Sequence, residues 1–129
     1  MTRYFLDTRV LLWTASQNAR LPTALRGLMA LPDSELIFST ASIWEVAIKH
    51  ARQRGDFTAD PVVLRRGLLG ACYVELPALG AHAVAVPTLT PVHKDPFDRL
   101  LVAQAIVQNT ELLTVDAHLD HYPGPIRVL

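Results

Sequence analysis

Short apolar runs alternate with helical segments from one end of this chain to the other, and few architectures accept that order. Runs suited to strands fall near Arg3–Leu6, Glu35–Ser39, Tyr73–Leu76, Glu111–Thr114 and Ile126–Val128. Between them, helical spacing covers Val10–Trp13, Pro22–Leu31, Ala41–Gln53, Pro61–Gly70, Gly80–Val86 and Pro96–Gln108, with a short helical turn after Asp116. Strands that take turns with helices pair in parallel, and the crossover helices then cover both faces of the sheet. The expected fold is therefore α/β, with a central, mainly parallel sheet of about five strands. Pro22, Pro61 and Pro96 each suit the first position of a helix, where a missing N–H costs nothing. Pro32-Asp33-Ser34 and Pro123-Gly124-Pro125 read as turns, and Leu89 to Asp95 as the longest loop.

At 129 residues the expected organisation is one domain over residues 1–129, with no repeat or linker inside it. Half the residues are hydrophobic, generous for a small monomer, so a second subunit or partner is expected to cover part of that surface. Twelve basic and twelve acidic side chains leave no net charge, so any case for nucleic acid rests on local chemistry. Cys72 stands alone, which excludes an internal disulfide and a cysteine zinc cage. No secretory leader is read, and the longest apolar segment, Leu100 to Val107, is interrupted by Gln104. It is far below the roughly 20 residues that span a bilayer, so a soluble, cytoplasmic protein is expected.

Topology then gathers four acids. Ligands of open parallel sheets bind beyond the carboxyl ends of the strands, and the following helices start at that edge. Asp7 and Asp116 follow strand ends, Glu45 comes soon after the strand that closes at Ser39, and Asp98 opens a helix. Clustered carboxylates repel one another unless a cation joins them, and oxygen donors suit Mg²⁺ or Mn²⁺. That combination is the core of a metal-dependent phosphodiesterase.

Each acid also has a plainer reading. Ser42-Ile43-Trp44-Glu45 matches a capping box, with Glu45 in the first helical turn. Asp95-Pro96-Phe97-Asp98 reads as a cap followed by a first-turn proline, and Asp7 and Asp116 as initiators of strand-to-helix turns. Against that, Glu45 shares a helical face with Ala41 and Ile48, and Asp98 with Leu101, Val102 and Ala105. An ionised acid heading an apolar stripe needs a partner. Asp33, Glu35, Asp56, Asp60 and Asp120 read as solvated turn or helix-end acids, with Asp95 in reserve. His50, His82 and His93 are isolated, and His118 and His121 read as surface residues. Thr8 and Thr114 adjoin the acidic edge and suit hydroxyls that orient a carboxylate or a metal-bound water. No glycine-rich phosphate loop and no serine nucleophile elbow occur.

Four ordered blocks carry a resemblance: Phe5-Leu6-Asp7-Thr8-Arg9-Val10-Leu11-Leu12-Trp13, Ser39 to Lys49, His93 to Leu101, and Leu112-Leu113-Thr114-Val115-Asp116. Together they resemble PIN-domain ribonucleases, specifically the VapC-like toxins of type II toxin–antitoxin modules. The resemblance implies a three-layer α/β/α sandwich and a Mg²⁺- or Mn²⁺-dependent endoribonuclease, a homodimer held inactive by a cognate antitoxin. It assigns the acidic set to Asp7, Glu45, Asp98 and Asp116, and the small hydroxyl positions to Thr8 and Thr114. Arg9 stands where that branch commonly has His, and Val115 where a basic residue is frequent.

On this reading Asp7, Asp98 and Asp116 hold one or two metal ions, with Glu45 completing or steering the site. Arg9, Lys49, Lys94 and Arg99 flank the acidic blocks and suit phosphate contacts, with Arg52 and Arg54 further along the same helix as Lys49. Solvated helix ends and ion pairs explain those cations equally well. The apolar segments Leu100–Val107 and Val10–Trp13 are candidates for dimer or antitoxin contact, or ordinary core. Three rivals remain: a non-catalytic PIN-fold module that binds RNA or a partner, a metal-dependent nuclease or phosphatase acting on a substrate other than RNA, and a purely structural α/β domain in which the four acids are caps.

Overall fold

Side chains along the strands alternate between the two faces of the sheet, and that alternation builds two cores. Tyr4 and Leu6 of the first strand pack on one face of the sheet with Phe38 and Leu113, while Phe5 packs on the other with Ile37 and Leu112. The computed structural model describes residues 2–52, 59–92 and 94–129. Gln53, Arg54, Asp56 and His93, named above, lie outside the described residues.

The strands are β1 (Thr2–Leu6), β2 (Ser34–Ser39), β3 (Val74–Leu76), β4 (Glu111–Thr114) and β5 (Ile126–Val128). They form one sheet in the order β3-β2-β1-β4-β5, with every pairing parallel. In register, Phe5 stands beside Ile37 of β2 and Leu112 of β4, which places the carboxyl ends of the three central strands side by side. The chain first winds outward from β1 to β3, then returns to β4 on the other flank of β1. That reversal opens a crevice at the carboxyl edge between β1 and β4.

Among the described residues, six α-helices connect the strands: α1 (Thr8–Ala15), α2 (Thr23–Ala30), α3 (Thr40–Ala51), α4 (Pro61–Gly70), α5 (Gly80–Ala85) and α6 (Pro96–Gln108). Val10 and Leu11 of α1, Leu25 of α2, and Leu64 and Leu68 of α4 fill the first core. Leu101, Val102 and Ala105 of α6 fill the second. The helix α3 contributes to both, with Val46 on one side and Ala41 on the other. The result is the expected α/β/α sandwich around a parallel sheet. Tight turns of 3-10 type follow at Val86–Thr88 and Ala117–His121.

Several local expectations need correction. The helix α3 starts at Thr40, because Ser39 is the cap: its hydroxyl accepts the Ala41 N–H at 2.9 Å. Glu45 therefore stands in the second turn, and no capping box forms from Ser42. Pro22 is itself the cap residue of α2, with extended ψ, rather than its first helical residue. Glu35 lies in β2 and pairs with Arg3 at 3.0 Å, so it is a strand residue. His82 is fully buried between the Leu79 N–H on Nδ1 and Gln108 on Nε2. Leu101, Val102, Val10 and Leu11 are core, leaving Ile106 and Val107 as the exposed apolar part of α6. Among the described residues, no helix is long and apolar enough to cross a membrane.

Candidate active site

A strand that ends in Asp and turns at once into a helix places that carboxylate at the helix N-terminus, where backbone N–H groups await acceptors. Asp7 does this after β1: Oδ1 accepts the Val10 N–H at 2.8 Å. Its Oδ2 accepts the Thr114 hydroxyl from the end of the neighbouring β4. The residue is only 4% exposed. Burial pushes its carboxyl up to about 6, and the negative charge of Asp98 adds to that, while the Thr114 and Val10 hydrogen bonds and Arg9 oppose it.

Asp116 repeats the motif after β4. Its Oδ1 accepts the His118 N–H at 3.0 Å and lies 3.0 Å from His118 Nδ1, and its side chain keeps 26% of its surface in solvent. The Asp116 N–H donates to Thr114 Oγ1 at 3.0 Å. Thr114 thus ties the two strand-end acids together: it gives its proton to Asp7 and receives one from the Asp116 backbone.

The other two acids come from helices. Glu45 is 6% exposed on α3. Its Oε2 meets Lys49 Nζ at 3.0 Å, one helical turn on, but Oε1 is buried with no hydrogen-bond partner among the described residues. Asp98 lies in the first turn of α6, where its N–H and that of Phe97 donate to Asp95 Oδ1 at 3.3 and 2.9 Å. Asp95 is therefore the cap, and Asp98 lines the cleft.

All four acids line one cleft of about 520 Å³. Thr8, Arg9, Lys49 and Asp95 share that wall, as expected from their positions beside the acidic blocks. Thr8 also reaches across to α3, donating to Ser42 Oγ at 2.9 Å. Arg99 goes elsewhere. Its guanidinium reaches the carbonyls of Val86 and Thr90 and the Tyr122 hydroxyl at 3.1–3.4 Å, clamping the segment before α6. Lys94 lines an adjoining groove rather than the cleft. Trp13, read above as partner contact or core, lines the cleft, and so does Arg20, which was not singled out from the sequence. Arg20 sits in a loop, where no periodicity says which way a side chain will face.

Oxygen donors from four carboxylates suit a hard divalent cation. The orphaned Glu45 Oε1 is a buried polar atom that a cation would satisfy. As the side chains stand, no three His, Cys, Asp or Glu among the described residues form a closed set around one point.

Known proteins share this sequence and shape. The sequence matches the PIN domain family over residues 4–125. It is 32% identical to Ribonuclease VapC22 of Mycobacterium tuberculosis over 133 aligned positions, covering 99% of each chain. The fold is similar to that in the crystal structure of VapBC2 from Rickettsia felis bound to a promoter DNA fragment, with a TM-score of 0.73 at 12% identity over 98% of both chains. It is also similar to that in DNA-bound VapBC from Salmonella typhimurium, with a TM-score of 0.68 at 18% identity, covering 100% of this chain and 98% of the other. The chain belongs to the PIN-domain family, among its VapC-like members.

Proposed function

We propose that this protein is a Mg²⁺- or Mn²⁺-dependent endoribonuclease acting as the toxin of a type II toxin–antitoxin module. The observation that carries the proposal is the convergence of Asp7, Glu45, Asp98 and Asp116 on one cleft at the carboxyl edge of the sheet. The relative named as a ribonuclease, aligned along nearly the whole chain, supports RNA as the substrate.

In this reading Asp7, Asp98 and Asp116 hold the metal and Glu45 completes the set. A divalent ion bound there supplies an acidified water and offsets the charge that gathers on a phosphodiester under attack. The protein's own part is positioning. Val10 and Thr114 each donate to one oxygen of Asp7, which fixes the plane of that carboxylate. With its carboxyl at about 6, Asp7 is mainly ionised at neutral pH. Lys49 holds Glu45 by one oxygen, and the other is buried without a hydrogen-bond partner among the described residues. Arg9, Lys49 and Arg20 give the acidic cleft a cationic border for phosphates. Thr8 braces α1 against α3 through Ser42.

The same proposal places the protein in the cytoplasm as a homodimer, with residues 1–129 as one domain and a cognate antitoxin as its regulator. Exposed Val62 and Val63 of α4 and Val84 of α5 leave apolar surface for such partners.

The test is incubation of the purified chain with a mixed RNA pool and Mg²⁺ or Mn²⁺, beside an Asp98→Asn variant and an EDTA control. Cleavage that needs metal and vanishes in the variant is expected. Cleavage of DNA or of a phosphate monoester instead of RNA would replace the substrate assignment.

A further inference from the structure

Beside the acidic cleft runs a second groove, of about 440 Å³, between α3 and the start of α6. The two are continuous, since Glu45, Lys49 and Asp95 border both. Their linings differ. The second groove adds Arg52, Lys94 and Phe97 to Lys49, so three cations and an aromatic ring stand beside the two carboxylates it shares with the cleft. The cations outnumber the carboxylates there, and Arg52 and Lys94 lie where a polymer leaving the acidic cleft along α3 would pass.

Phe97 does not stand alone. Trp44, the residue before Glu45 on α3, meets it edge-on, with ring centroids 5.1 Å apart and planes at 71°. Trp44 is 60% exposed, although burial of an indole is among the larger single gains a core can make. Helical geometry explains the placement: Glu45 faces the cleft, so Trp44, one residue earlier, projects about 100° around the helix toward α6 and solvent. Cations that track a backbone, set beside exposed aromatic faces, are the recurring construction of single-strand nucleic-acid sites.

We propose that this groove seats the single-stranded RNA flanking the scissile phosphate. Arg52 and Lys94 take backbone phosphates, and the Trp44–Phe97 pair gives one unpaired base a surface to stack on. The idea rests on the ribonuclease reading above and extends it to the form of the substrate: a single-stranded segment rather than a duplex, whose bases are not free to stack on a side chain.

The test is binding, followed by the anisotropy of a labelled, unstructured oligoribonucleotide in EDTA, so that cleavage plays no part. Trp44→Ala is expected to weaken binding about tenfold without changing its salt dependence, and Trp44→Phe to recover most of the loss. An Arg52→Ala/Lys94→Ala double variant is expected to weaken binding and to lower the slope of log K against log salt by about 1.4. The exposure of Trp44 makes its truncation tolerable to the fold, and circular dichroism of each variant checks this. The proposal is overturned if the wild type does not hold the oligonucleotide. It is equally overturned if Trp44→Ala binds as the wild type does and sediments at half its mass, which would make this face a contact between two copies. Binding with the expected pattern in a protein that cleaves no RNA keeps the groove and removes the ribonuclease reading. Metal-dependent cleavage that Trp44→Ala leaves unchanged in KM and kcat does the reverse.

Discussion

Asp7 and Asp116 occupy the same local motif, an acid that ends a parallel strand and caps the turn that follows, yet they live in different surroundings. Asp7 closes β1, the central strand of the sheet, and is 4% exposed with a donor on each oxygen. Asp116 closes β4, next to the sheet edge, and opens only a short 3-10 turn, with 26% of its side chain in solvent. Identical local chemistry therefore yields one carboxylate held buried at a cost to stability and one that keeps part of its surface in solvent. The difference comes from the place of each strand in the sheet. It divides the cleft into a buried wall and a partly solvated one.

Replacing each acid by its amide sharpens this contrast. Asp7→Asn is expected to raise the stability of the metal-free protein at pH 7 by about 2–3 kcal/mol, because it removes a charge that burial disfavours. Asp116→Asn should stay within about 0.5 kcal/mol, since Asn caps as well as Asp. Urea denaturation of both variants measures the gap. Equal changes would erase the distinction.

The pH profile is a second view of the same effect. The folded chain keeps a proton on Asp7 over a range where the unfolded chain has lost it, because burial raises this carboxyl from 3.8 to about 6. Its contribution is therefore full at low pH, declines as pH rises through that window, and is constant above it. Subtracting the Asp7→Asn curve from the wild-type curve isolates a decline of about 2–3 kcal/mol. A difference that instead grows with pH would contradict the assignment.

Thr114 links the two walls, so its loss should reach both. Thr114→Val removes the donor to Oδ2 of Asp7 and the acceptor for the Asp116 N–H, and is expected to cost about 1–2 kcal/mol and to push the Asp7 carboxyl higher still. Carbon-detected NMR titration of the Asp7 carboxyl follows that shift. The smallest effect belongs to His118, whose side chain is 76% exposed beside Asp116. His118→Ala should change stability by less than about 0.5 kcal/mol in the same denaturation series.

Much of this was legible in the sequence, for reasons that differ by element. The buried parallel strands read as continuous apolar runs, and α4 and α6 matched their expected bounds because Asp60-Pro61 and Asp95-Pro96 mark a cap and a first turn unambiguously. The convergence of the four acids followed from topology alone. What the sequence hid was the direction of individual side chains. Ser42 and Glu45 imitate a capping box, but Ser39 reached the helix end first, and its side chain is also fixed by Gln104 at 2.6 Å. Arg99 suited either a phosphate contact or an ion pair, and its guanidinium reaches backbone carbonyls, while Arg20 reaches the cleft from a loop. Long cations follow tertiary surroundings that local spacing does not encode.

The account stands on the four carboxylates acting as one cation site, and calorimetric titration of the metal-free protein with Mn²⁺ tests that most directly. The wild type should bind Mn²⁺, and Asp7→Asn, Glu45→Gln, Asp98→Asn and Asp116→Asn should each weaken binding, the first most strongly because Asp7 lies deepest. Mn²⁺ bound with undiminished affinity by all four variants would mean that the ion sits elsewhere and the cleft is not its site.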